Sequence, residues 1–508
     1  MQLVALVVLG LALVGCRGHG VGTWVGGPGA ERCEFDDMVG GQVEPGAQEP
    51  VVTPKKRAWE ATFGGEEAAR PHVRARLAGW PGRLLAPRPP RDETDRQFMT
   101  RLARDTWRGL SAFVDRDNRL PVDNVRLGAD ARVGDYTNIT TVGLRMITIV
   151  AARELMLVPD AEALAELRAL FATLDRLERH AGFFFNYYDT TSLERSSNFI
   201  SFVDSSWLTA GLMVVRATFP ELRATTTRLI GAQDYHFFYD RTAQLMSHGY
   251  YVQRRSRSLF HYGVFYAESR LGSLIAIGKG DVPEEHWFRM VRTFPWACRW
   301  QASQPVGRRL KDVRGHAFFG GWYEWGDVRF VPSWGGSAFE ALMPTLVLDE
   351  PRHAPANLGA NDTAQASVQR RYALETLRYP VWGMSPSVTP SGVGYGEYGV
   401  RVLGSLGYPP GAVTPHASAL ALAVTPGEAV ANLRRLAERY DIYGDFGLYD
   451  AVDPVSGEIA HAYLALDQSM ILIAAANYLK DGIIQRRFAA DPIVAKVLPL
   501  LAAENFFD

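Results

Sequence analysis

The 508-residue sequence predicts an all-α fold, an α/α toroid with long loops and short β-hairpins at one end. Three observations predict it. Segments with apolar residues at helical spacing recur from about Asp92 to the C-terminus. Polar or acidic residues open these segments, and glycine or proline closes them. Long loops rich in aromatic residues and glycine lie between them.

The chain divides into three parts. "MQLVALVVLGLALVGC" is an apolar run ending in Leu13-Val14-Gly15-Cys16. Residues 1–16 read as a lipoprotein-type signal segment with Cys16 as the lipidated residue, although no Lys or Arg precedes the run. A plain secretory signal or an N-terminal anchor is the alternative, and each places the mature protein outside the cytoplasm. Residues 17–91 read as a Gly/Pro-rich tether, largely disordered, with a short ordered turn around Trp59 to Trp80. Residues 92–508 form the domain.

Helices are predicted in order at "DETDRQFMTRLARDTWRGLSAFV", behind an acidic first turn, and at "TNITTVGLRMITIVAARELMLV", behind a polar cap. The third, "DAEALAELRALFATLDRLERHAG", is expected to be capped by Asp160 and ended by Gly182. Further helices fit "SSWLTAGLMVVRATF", "FYAESRLGSLIAIGKG", "EEHWFRMVRTF", "GSAFEALMPTLVL", "TAQASVQRRYALETLRY", "PGEAVANLRRLAERY" and "DQSMILIAAANYLKDGII". Short strands fit "AQLMS" and "HGYYVQ".

With 54 basic against 55 acidic side chains, nothing in the charge favours nucleic acid or an anionic membrane surface. Of the three cysteines, Cys33 either pairs with Cys298 or stays free. There is no P-loop, GxGxxG, HExxH or GxSxG, and the histidines form no metal-spaced set. Neither a metal nor a cofactor is expected.

Carboxylates beside small and aromatic residues remain as candidates for chemistry. Glu268 stands among aromatics at the start of an apolar helix, as a buried acid or as a cap paired with Arg270. Asp204, in "NFISFVDSSWLTAG", is an N-cap or a cleft acid. Glu340, in "VPSWGGSAFEALMP", is a helix-start acid favoured by the macrodipole or a cleft acid, with a glycine pair that permits close approach of a ligand. Glu397, Asp450 and Asp467 complete the set, while Asp453 before Pro454 reads as a turn residue. Acids converging on a cleft lined by rings suit glycoside hydrolysis, which needs one protonated carboxyl and one carboxylate.

Long motifs strengthen that reading. "LDRLERHAGFFFNYYDTTSLERSSNFISFVDSSWLTAGL", "YAESRLGSLIAIGKGDVPEEHWFR" and "VPSWGGSAFEALMP" closely resemble the transglycosylating domain of cyclic β-1,2-glucan synthases. "VTPHASALAL", "IYGDFGLYDAVDP" and "YLALDQSMILIAAANYL" resemble that domain and the endo-β-1,2-glucanases of the glucoamylase-like family. The resemblance implies an (α/α)6 barrel with a glycan cleft and a β-glucan as partner. It matches Glu268 to the catalytic acid and Asp204 and Glu340 to cleft acids. Glu397 and Asp467, with the rings of Trp334, Tyr266, Trp382 and Tyr188, are expected to bind sugar. One departure stands out. The synthase domains carry Trp-Gly-x-Ser-Glu-Ser, whereas here Pro386 follows Ser385 and replaces the apparent nucleophile. An inverting hydrolase is therefore expected, with a retaining transglycosylase or a catalytically silent polysaccharide-binding lipoprotein as alternatives.

Overall fold

The computed structural model describes Cys33 and residues 50–80, 92–128, 131–392 and 394–508. Cys16 and the signal segment lie outside the described residues. Two helices precede the domain, α1 (Pro54–Ala61) and α2 (Glu66–Ala75). Then follow α3 (Asp95–Ala112), α4 (Ile139–Glu154), α5 (Asp160–Leu174), α6 (Phe202–Thr218), α7 (Arg223–Ala232), α8 (Arg270–Lys279) and α9 (Glu285–Arg289). The rest are α10 (Ala338–Leu342), α11 (Glu350–His353), α12 (Leu358–Arg371), α13 (Pro415–Leu420), α14 (Pro426–Arg439), α15 (Ala465–Leu479), α16 (Ile483–Ala489) and α17 (Pro492–Leu501).

Six of these helices close an inner ring. α4 packs on α6, α6 on α8, α10 on α13, α13 on α15, and α15 back on α4. Arg270 of α8 closes the remaining joint, donating to the Glu340 and Ala341 carbonyls of α10 at 3.4 and 2.7 Å. An outer helix backs each inner one: α5 on α4, α7 on α6, α17 on α8, α12 on α10, α14 on α13 and α3 on α15.

Residue chemistry sorts the two layers. Almost every residue of α4 and α15 is buried, as a helix covered on all sides requires. α14 instead buries only Ala429, Val430, Asn432, Leu433 and Leu436 and shows a charged outer face. Glycine sets the closest approach. A Cβ at Gly143 of α4 would meet the Trp207 carbonyl at 2.4 Å, and one at Gly211 of α6 would meet the Gly143 carbonyl at 2.4 Å. An alanine at either position would force the two backbones apart.

Caps fix where the helices start. Thr94 and Gln97 form a capping box on α3, Asn138 caps α4, and Ser201 caps α6. Short strands feed the inner helices at the same end: Tyr136–Asn138 enters α4, Phe199–Ser201 enters α6, and Ala462–Leu464 enters α15. The expected strands are found at Leu245–Ser247 and Gly249–Tyr251.

Several expectations need correction. Gly182 does not end α5, which stops at Leu174; the glycine turns the hairpin between Arg179–His180 and Phe183–Phe184 at φ 85°. Asp160 is the first residue of α5 and makes no cap, since the N-cap is Pro159. The helix expected at "EEHWFRMVRTF" shrinks to the five residues of α9.

The tether is ordered where it is described. α1 and α2 pack together, Val51 N–H donates to the Ser196 carbonyl at 2.7 Å, and the buried Lys56 ammonium pairs with Asp135. Cys33 is disulfide-bonded to Cys298, 265 residues away, which settles the open pairing.

Candidate active site

The N-terminal turns of the inner helices gather at one end: Thr140 donates to Asp204, and the charges of Glu340 and Asp204 both act on Glu268. That end carries the acids. Asn138 and Thr140 open α4, Asp204 sits in the first turn of α6, Glu268 lies two residues before α8, Glu340 sits in α10, His416 in α13 and Asp467 in α15.

Glu268 is 1% exposed, and neither carboxyl oxygen has a hydrogen-bond partner. Burial, reinforced by the neighbouring charges of Glu340 and Asp204, pushes it up to about 8. It is therefore a protonated acid at neutral pH. Its turn is held from both sides. Tyr266 Oη donates to Asp362 Oδ1 at 2.5 Å. Arg270 grips Glu350 bidentately, Nε to Oε1 at 2.8 Å and Nη2 to Oε2 at 2.7 Å, and also donates to the Ala267 carbonyl at 3.1 Å. Every member of this network is fully buried. Such a lattice fixes the backbone on each side of Glu268 and leaves its carboxyl uncommitted.

Asp204 is not the cap of α6; Ser201 is, accepting from Asp204 N–H at 3.2 Å. The Asp204 carboxylate accepts from Thr140 Oγ1 at 2.6 Å, which ties the mouths of α4 and α6. Burial raises its pKa against the pull of its hydroxyl and amide donors.

Glu340 is committed to structure. It forms a capping box with Ser337 and accepts from Ser333 Oγ, Gly335 N–H, Ser337 N–H and Ser337 Oγ at 2.9–3.2 Å. Burial still raises its pKa. Asp467 and Asp450 are buried close enough for the charge of Asp467 to raise the pKa of Asp450, and burial pushes Asp467 up to about 7. His416 Nδ1 lies 3.1 Å from Asp467 Oδ2, and burial holds the imidazole neutral by pushing it down to about 4. At Pro386 there is no carboxyl; its neighbours instead fix backbone, Ser385 Oγ accepting from Phe339 N–H and Val388 N–H donating to Asp450 Oδ2 at 2.7 Å.

The four rings expected to bind sugar are all buried. Tyr266 is a buried strut, with its hydroxyl spent on Asp362. Tyr188 is likewise spent, donating to the Glu178 carbonyl at 2.5 Å and accepting from Phe185 N–H at 2.8 Å. Trp334 packs in the core against Trp300. Trp382 is core as well, its backbone clamped by Asn432. Glu397 is half-buried in a loop, close enough for its charge to act on Tyr395 and Tyr408.

Two residues at this mouth escaped the sequence reading. Asp123 lies beside Asp467, fixed there because its carbonyl accepts Ala465 N–H at 2.9 Å at the start of α15, and burial pushes its carboxyl up to about 7. "LPVDNVRL" signalled it only as an acid before a strand. Tyr408 packs on Gly335, and its only signal, a ring in "GYPPG", reads as a turn.

Comparison with known proteins agrees with this geometry. Residues 263–492 match the family model Glycoamylase, described as "Putative glucoamylase". Over those residues the chain is similar to the glucoamylase-like family. It is 24% identical over 546 residues to the cyclic β-(1,2)-glucan synthase NdvB of Rhizobium meliloti (strain 1021), covering 78% of this chain and spanning only 18% of that synthase. Its fold is that of an endo-β-1,2-glucanase from Chitinophaga pinensis solved with sophorotriose and glucose: TM-score 0.64, 15% identity, 81% of this chain and 98% of that one. The endo-β-1,2-glucanase of Talaromyces funiculosus solved with β-1,2-glucan gives TM-score 0.63 at 13% identity, over 82% of this chain and 92% of that one.

Proposed function

We propose that the protein is an extracytoplasmic glycoside hydrolase acting on a β-glucan, β-1,2-linked, with Glu268 as general acid. Its fold is read as an (α/α)6 toroid, six inner helices inside six outer ones, with the glycan cleft at the inner N-termini. The observation that carries the reading is the Glu268 carboxyl, protonated by burial, unpartnered, and held by its neighbours at the mouth of the ring. The β-1,2 linkage is supported by the glucanases that share the fold and by the similarity to the synthase.

In the proposed reaction Glu268 gives its proton to the glycosidic oxygen as the bond to the anomeric carbon breaks. A water adds to that carbon, and its proton passes to a carboxylate on the other side of the sugar. Asp204 fits this role better than Glu340, whose two oxygens are already shared among Ser333, Gly335 and Ser337. Inversion is favoured because Pro386 offers no nucleophile. Reducing-sugar release from a panel of β-glucans by the purified protein tests the reading. Release from β-1,2-glucan with the α-anomer formed first supports it; binding without release turns the protein into a polysaccharide-binding lipoprotein.

An oxidising compartment is supported by the Cys33–Cys298 disulfide. Lipidation at Cys16 is part of the same proposal. Cys16→Ser should move the protein from the membrane fraction to the soluble one, and an unchanged distribution would remove the anchor from the account.

A further inference from the structure

The strip 333–336 runs beside 404–408. Ser333 bridges Gly404 in parallel register, Leu406 and Gly407 N–H both donate to the Trp334 carbonyl at 3.1 Å, and Tyr408 N–H donates to the Gly335 carbonyl at 2.8 Å. This register lays the Tyr408 ring flat on Gly335, where a Cβ would meet ring carbons at 2.1 Å. The glycine pair of "SWGGS" thus makes room for a side chain of the protein itself. Gly335 N–H is meanwhile held by Glu340 at 3.0 Å, so the ring sits over the acid end of α10.

Tyr408 is 5% exposed, and its hydroxyl has no hydrogen-bond partner. A buried hydroxyl left alone is a cost to the fold, and a ligand oxygen would remove that cost. Burial and the nearby charges of Glu340, Glu397 and Glu268 keep the phenol protonated, so its O–H is available to donate. Both the acid and the phenol at this mouth are buried without partners, and each is shaped to meet an oxygen of a polyhydroxylated ligand.

We infer that Tyr408 is a substrate-contacting residue, its hydroxyl donating to an oxygen of the glucosyl unit that lies against Glu268. This rests on the proposed glucan site. Tyr408→Phe tests it cleanly, because the hydroxyl holds nothing in the free protein. Thermal stability should be unchanged or raised. kcat/KM on a β-1,2-linked oligosaccharide should fall about 10- to 100-fold, as for loss of one donor in a buried polar site. Affinity for the same oligosaccharide, measured by calorimetry in a Glu268→Gln background, should weaken about tenfold. Gly335→Ala, which pushes the ring off its seat, should reproduce the loss. Tyr408→Phe with wild-type kcat/KM and affinity overturns the inference, as does a variant whose melting point falls while its affinity is kept. Wild type assayed alongside separates the two claims. If it binds the oligosaccharide without turnover, the hydrolase reading fails and affinity alone decides Tyr408; if it does neither, both fail.

Discussion

Arg270 and Glu350, 80 residues apart in sequence, meet in a bidentate ion pair with neither side chain exposed. The pair lies two residues beyond Glu268 and joins the acid's turn to α10 and α11. Removing Glu350 would leave the buried Arg270 charge with only the more distant Asp362, 3.8 Å away. Glu350→Gln is expected to cost about 3–5 kcal/mol, the range for breaking a buried ion pair. Urea unfolding checks it, and a midpoint near wild type would show that the network is not what holds the turn.

Tyr266→Phe should cost less, about 1–3 kcal/mol, because it leaves one buried acceptor of Asp362 unsatisfied. It should also lower kcat on the glucan more than it changes KM, since the ring touches the acid's turn and no sugar. A variant whose KM alone rises would restore Tyr266 to the substrate path.

Activity should depend on pH through the acid. With Glu268 pushed up to about 8, kcat/KM should fall about tenfold per unit above that pH, and it should fall separately on the acid side as the base, Asp204, takes a proton. An alkaline limb that begins near the usual glutamate value, about 4, would mean that the acid is another group.

Stability should follow the same titration. The folded pKa of Glu268 is raised, so its contribution is complete below the unfolded carboxylate value, about 4, and is lost as pH rises through about 8. Asp123 and Asp467 act in the same sense, with loss through about 7. The buried neutral His248, His286 and His416 have lowered pKa values and weaken the fold only as pH falls below about 6.5. The urea midpoint should therefore drop between about pH 6.5 and pH 8 and level off above, and Glu268→Gln should flatten that drop. Equal slopes for the two proteins would contradict the assignment.

The disulfide makes a separate prediction. Closing a loop of 265 residues, Cys33–Cys298 should contribute roughly 2–5 kcal/mol. Cys298→Ser should lower the urea midpoint in proportion, and no shift under oxidising conditions would make the bond incidental.

Much of this was legible along the chain. The polar cap expected for α4 is Asn138, and the helix-start acid expected at Glu340 closes a capping box with Ser337, whereas the cap expected at Asp204 is Ser201. The acids were legible because a carboxylate at the head of an apolar helix conflicts with its surroundings. The rings were not. Tyr266, Tyr188, Trp334 and Trp382 sit in the right motifs, but local pattern cannot tell a ring that faces a cleft from one packed in the core. Arg270–Glu350 and Tyr408–Gly335 join positions 80 and 73 residues apart, and only the closed ring brings them together. The order of residues 50–80 was hidden for a similar reason: Gly and Pro suggest a tether, while Lys56 is held by Asp135 on the domain.

The central claim is that Glu268 donates the proton that breaks the glycosidic bond. Turnover of linear β-1,2-glucan by wild type and by Glu268→Gln, with calorimetric binding on the same preparations, tests it most directly. The account predicts release by wild type, loss of about three orders of magnitude or more in the variant for want of a general acid, and affinity kept within a few-fold. Release by the variant at a rate near wild type would contradict it.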